Sequence, residues 1–96
     1  MIQEKSKIQE AFERFDNRHP EVYELFVKFV REILAAGHNH YSAHAILLRI
    51  RWHYDIDPDH NEDFKLNNNY SSRYARKFVE DYPMHKDFFT FRSLTA

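Results

Sequence analysis

The chain predicts a mainly α fold: a compact four-helix domain carrying a small two-stranded β element. Three observations lead there. In four separate windows the apolar residues recur at the i, i+3, i+4 spacing of one helix face. Only one Gly and three Pro occur in 96 residues, too few breakers for a turn-rich β-sandwich. Two short stretches, 64–67 and 88–94, alternate apolar and polar residues in the manner of half-buried strands. The length suits a single domain, 1–96, able to bury its own core. A hydrophobic share of 43% and an aromatic share of 17% exclude a disordered chain. All the aromatics but one are Phe or Tyr, so the core is expected to be ring-rich.

The first helix is expected over 4–15, where Ile8, Ala11, Phe12 and Phe15 form one stripe. Asp16-Asn17-Arg18-His19-Pro20 is expected to interrupt it. Pro20 suits the first turn of a second helix, 20–36, whose inner face is Val22, Phe26, Phe29, Val30, Ile33 and Leu34. Gly37, the only glycine, stands where a left-handed C-terminal cap is wanted. Ser42 is a good N-cap for a third helix over 43–54, with Ala43, Ile46, Leu47, Ile50 and Tyr54 facing inward. Trp52 is expected at the edge of the core. Residues 55–63 are acidic and loop-like. A short strand at 64–66 precedes a fourth helix, 71–81, whose inner face is Tyr74, Ala75, Phe78, Val79 and Tyr82. Pro83 ends that helix, and a second strand is expected over 89–93.

The order helix, helix, helix, acidic loop, strand, helix, strand resembles a winged-helix domain, a helix-turn-helix variant ending in a β wing. The resemblance covers residues 20–94 and implies 43–54 as the supporting helix and 71–81 as the recognition helix. The link between them runs about 16 residues, against about 3–4 in a helix-turn-helix. Arg49-Ile50-Arg51-Trp52 and the stretch from Asp63 to Arg76 are also similar to small proteins of unknown function from phages and bacterial genomes, a resemblance that implies no activity.

Asn67-Asn68-Asn69-Tyr70-Ser71-Ser72-Arg73-Tyr74-Ala75-Arg76-Lys77 is the most informative stretch. Amide and hydroxyl groups gather at a helix start, followed by cations at i, i+3 and i+4 on one face. Asn reads adenine edges, Arg reads guanine edges, and the N–H groups of a helix start hold phosphate. On this reading Arg73, Arg76 and Lys77 contact double-stranded DNA. Asn68, Asn69, Ser71 and Ser72 cap the helix and reach the backbone, and Lys65 and Arg92 flank the groove. Charge distribution agrees: net −1 over 1–40, −3 over 41–63 and +3 over 64–96. A homodimer would suit so small a module.

A second reading makes the chain a protein-binding module or a phage-encoded inhibitor of a host protein. It would act through the acidic loop at Asp55, Asp57, Asp59 and Glu62. Trp52 between Arg49, Arg51 and His53 offers an anchor of the kind enriched at interfaces. Catalysis is not expected. One Gly excludes a glycine-rich phosphate loop, and no nucleophile elbow occurs. Cysteine is absent, which removes disulfide and thiolate chemistry. His38, His40 and His44 are dense enough to weigh as metal ligands, yet lack Cys partners or a His-Glu-x-x-His pattern. Asp55-Ile56-Asp57-Pro58-Asp59 fails as a calcium loop, with His60 where glycine is required. No cofactor or metal is expected. With no apolar run of about 18 residues and no apolar N-terminal signal, the reading is a soluble cytoplasmic protein without a membrane partner.

Overall fold

Ser6 opens helix α1 (Lys7–Arg18), its Oγ accepting a hydrogen bond from the Gln9 N–H at 3.2 Å. The computed structural model describes residues 6–59 and 66–90. α1 runs through Asp16 and Asn17, where the polar run was expected to break it. The break falls instead at His19, which serves as C-cap of α1 and N-cap of α2 (Pro20–Ala35). Pro20 occupies the first turn of α2, where its missing N–H costs nothing.

α2 closes on Gly37, at φ +100°. The Gly37 N–H donates to the Leu34 carbonyl at 3.0 Å and the His38 N–H to the Ile33 carbonyl at 3.3 Å. This is the paired closure that a left-handed residue one past the cap permits. Ser42 then caps α3 (Ala43–Asp55), accepting from the Ala45 N–H at 3.2 Å. α4 (Tyr70–Asp81) follows, and a 3-10 turn over Pro83–His85 leads to Phe88 and Phe89.

α4 lies against all three other helices. Its buried face, Tyr70, Tyr74, Ala75 and Phe78, meets Phe12 of α1, Val22 and Phe26 of α2, and Ile46, Leu47 and Ile50 of α3. Phe26 stacks on Tyr74, at 5.6 Å and 25°, while other core rings pack edge-on or tilted. Phe12 and Tyr74 have centroids 4.8 Å apart at 84°, and Phe78 and Phe89 are 5.9 Å apart at 85°. Such geometry sets the positive ring edge on the negative face of its neighbour.

The expected β element is not seen among the described residues, where no strand occurs. Leu66 is core without strand pairing, while residues 64–65 and 91–93 lie outside the described residues. Phe88 and Phe89 form a bend, and both rings are buried in the helical core. Two adjacent residues of a strand point to opposite faces, so a strand could not place both there. A winged helix is therefore not the architecture. Residues 56–69 separate α3 from α4, which a helix-turn-helix does not accommodate.

Candidate nucleic-acid interface

α1 decides what the basic helix can offer. It lies outside the stretch that resembled a winged helix, and it packs on the face of α4 that carries Arg73, Arg76 and Lys77. Lys77 Nζ pairs with Asp16 of α1 and stands 4.3 Å from the ring centroid of Tyr23. Tyr23 in turn donates its hydroxyl proton to Asp81. Burial, and next the hydrogen bond to Asp81, push the Tyr23 phenol well above its ordinary value. Arg73 is only 9% exposed, and its Nη1 donates to the Asn69 carbonyl at 3.2 Å. Of the residues expected to reach base edges, Arg73 is thus buried against its own helix start, and Lys77 is paired with a carboxylate of α1.

The asparagine run is also engaged locally. Asn67 Oδ1 accepts from the Asn69 N–H at 2.9 Å, an Asx turn that starts α4. Asn68 is exposed, its Oδ1 accepting from Arg51 Nη1 at 2.9 Å. Ser71 Oγ donates to the Asn68 carbonyl at 3.1 Å. Asn69 is the N-cap residue, but its side chain makes no capping hydrogen bond. Lys65, Arg92 and Glu62 lie outside the described residues.

The rest of the predicted set does come together. Asn69, Ser71, Ser72 and Arg76 line one wall of an open cleft of about 660 Å³. The opposite wall is the turn into α3, with His40, Tyr41, Ser42 and His44, and Thr90 closes one side. His40 Nε2 and Thr90 Oγ1 are 2.6 Å apart, and the Tyr41 N–H donates to the Phe88 carbonyl at 3.2 Å, which fixes that wall. The first turns of α3 and α4 thus face one space. No Asp or Glu occurs among the described residues lining it, although the chain has fifteen. Hydroxyls, imidazoles, a carboxamide and one guanidinium supply the polar surface. Such a donor-rich lining suits an anion, and two helix starts add their partial positive charge.

His40 and His44 were weighed as metal ligands together with His38. Among the described residues no three His, Asp or Glu side chains converge to hold an ion. The cleft itself was not foreseen. Its polar parts were visible as two cap sequences, Ser42 and Asn67–Ser72, but nothing local says that two helix starts will meet.

The alternative acidic set sits elsewhere, at the C-terminal end of α3. Asp55 and Asp59 are exposed, and Asp57 is half-buried with its Oδ1 accepting from the Asp59 N–H at 2.9 Å. Trp52, expected at the edge of the core, is 60% exposed beside them. Among the described residues no helix is long and apolar enough to cross a membrane. No family model, curated protein or solved structure matches the chain.

Proposed function

We propose that this protein binds nucleic acid without catalysis, holding backbone phosphate of double-stranded DNA in the cleft between the first turns of α3 and α4. One observation carries the reading: a cleft rich in N–H and O–H donors with no carboxylate among the described lining residues, in a chain otherwise slightly acidic. Arg76, which also borders the groove against α1 that holds Glu13 and Asp16, is the one cation among the described lining residues, and Ser71, Ser72 and Asn69 are its neutral polar neighbours on α4. Contacts of this kind position a protein on a duplex and carry no sequence information. Base reading through Arg73 and Lys77 is no part of the proposal.

The test is fluorescence anisotropy of a labelled random duplex at low and near-physiological salt, with wild type beside Ser72→Glu. Ser72 is the third residue of α4. A carboxylate there stabilises the helix by about 0.3–1 kcal/mol through the macrodipole while repelling phosphate. The reading expects salt-sensitive binding by wild type and its loss in a variant at least as stable. Each neutralised phosphate contributes about −0.9 to the slope of log affinity against log salt. Unchanged binding by Ser72→Glu sinks the cleft as the site, and no binding at low salt sinks the reading.

A second reading, protein binding through the outer side of α3 and the acidic turn after it, is favoured by a separate observation. Leu48, Trp52 and Ile56 are exposed in succession along that helix.

A further inference from the structure

The cleft between the starts of α3 and α4 holds two imidazoles. His40 and His44 line the wall opposite Ser71, Ser72 and Arg76. Both are exposed, so solvent protons reach them freely. The titratable or charged groups facing the cleft are these two, the Tyr41 phenol from the same turn, and Arg76 from α4; Thr90 brings only a hydroxyl. Among the described residues no carboxylate lines the cleft, in contrast to the surroundings of His19, whose Nδ1 stands 3.3 Å from Glu21 Oε2. A bound anion is therefore the counter-charge that His40 and His44 meet in this cleft.

Imidazole is the side chain whose ordinary change of charge falls between about pH 5 and about pH 8. With both rings protonated, the described lining holds three cations in place of Arg76 alone. The set of donors changes as well. His40 Nε2 and Thr90 Oγ1 are 2.6 Å apart, and with a neutral ring either group can be the donor. An imidazolium carries N–H on both nitrogens and only donates. Thr90 Oγ1 must then accept, its own proton turns away from the ring, and His40 Nδ1–H becomes a second donor. Protonation thus removes the acceptor sites of both rings, the feature of this wall that repels an anion.

We propose that His40 and His44 make phosphate binding in this cleft proton-dependent, so that the site strengthens on mild acidification and takes up protons as it fills. This inference rests on the nucleic-acid reading of the cleft. Its sign follows from linkage. A bound phosphate favours the imidazolium over the neutral ring, and by reciprocity protons favour the bound phosphate. Couplings of this kind span about 5–150-fold, and two exposed imidazoles belong near the lower end, at about 10-fold between about pH 8 and about pH 5.5.

Anisotropy of the labelled random duplex across that pH range, at fixed ionic strength, tests this, because a phosphodiester keeps its single negative charge throughout. The chain has seven histidines, so acid also adds charge outside the cleft, and variants carry the decision. Wild type should bind about 10-fold tighter at the acid end, with a salt slope steeper by up to about 1.8, two added contacts at about 0.9 each. His40→Gln/His44→Gln should keep the wild-type affinity at the alkaline end and lose the gain in acid. His38→Gln, which removes an exposed imidazole outside the cleft, should keep the gain. Binding by wild type that ignores pH overturns the inference and leaves the phosphate reading in place. So does a gain that survives in His40→Gln/His44→Gln or is lost equally in His38→Gln. Loss of the alkaline affinity in the double variant overturns it too, since the rings then act as neutral ligands. No binding at any pH overturns the phosphate reading and this inference with it.

Discussion

Replacing Tyr74 by Phe should stabilise this protein. Tyr74 is fully buried, boxed in by Phe12 at 4.8 Å, Phe26 at 5.6 Å and Tyr23 at 6.3 Å between ring centroids. Its hydroxyl is buried without a hydrogen-bond partner among the described residues. A buried hydroxyl left unpaired costs about 1–3 kcal/mol of desolvation. Removing the oxygen recovers that cost and leaves the ring contacts intact. The void it creates is smaller than a methyl group and takes back only part of the gain. A net stabilisation of about 1 kcal/mol is expected, which in a domain of this size raises Tm by roughly 5 °C. Thermal and urea unfolding followed by circular dichroism measure it. The two variants should also diverge with pH. Burial first, and the nearby Asp16 charge next, raise the Tyr74 phenol well above its ordinary value of 10.0. The folded state thus holds a proton that the unfolded state releases near pH 10. The stability linked to this proton is complete below pH 10 and falls as pH rises further. Tyr74→Phe removes that loss, so its advantage should widen above about pH 10, while the part due to Tyr23 persists in both. A Tm lowered in Tyr74→Phe, or an advantage that shrinks at alkaline pH, would refute the reasoning.

Two further substitutions probe the fold itself. Arg73→Glu should unfold the domain rather than act as a clean charge reversal. It places a carboxylate at a 9% exposed site beside Asp16, at a cost of about 3–5 kcal/mol, whereas Arg73→Met keeps the packing and should cost far less; urea midpoints compare them. Gly37→Ala should cost about 1 kcal/mol through backbone strain alone, because no atom lies within 4 Å of the added Cβ; thermal unfolding measures it.

The four helices were legible because their inner faces repeat with helical spacing and because Ser42, Pro20 and Gly37 mark ends by local chemistry. Phe88-Phe89 misled because a pair of rings in an alternating stretch reads as strand, whereas here a bend sends both into one core. The basic face of α4 misled for a tertiary reason. Spacing shows that Arg73, Arg76 and Lys77 share a side, but not that α1 brings Asp16 and Glu13 to meet it. Residue type alone places Trp52 at the edge of the core, whereas it is 60% exposed. The i, i+4, i+8 spacing of Leu48, Trp52 and Ile56 was in the sequence, opposite an inner face that was already complete.

One helix, α3, carries two separate surfaces: its first turn forms a wall of the cleft, and its outer side bears the exposed Leu48 and Trp52. Nine residues at about 1.5 Å each put Trp52 about 14 Å along the helix from Ala43 at the cleft. An anion held in the cleft therefore leaves the indole in water, so tryptophan emission stays unmoved by a ligand that fills the cleft and shifts only when something covers the outer side of α3.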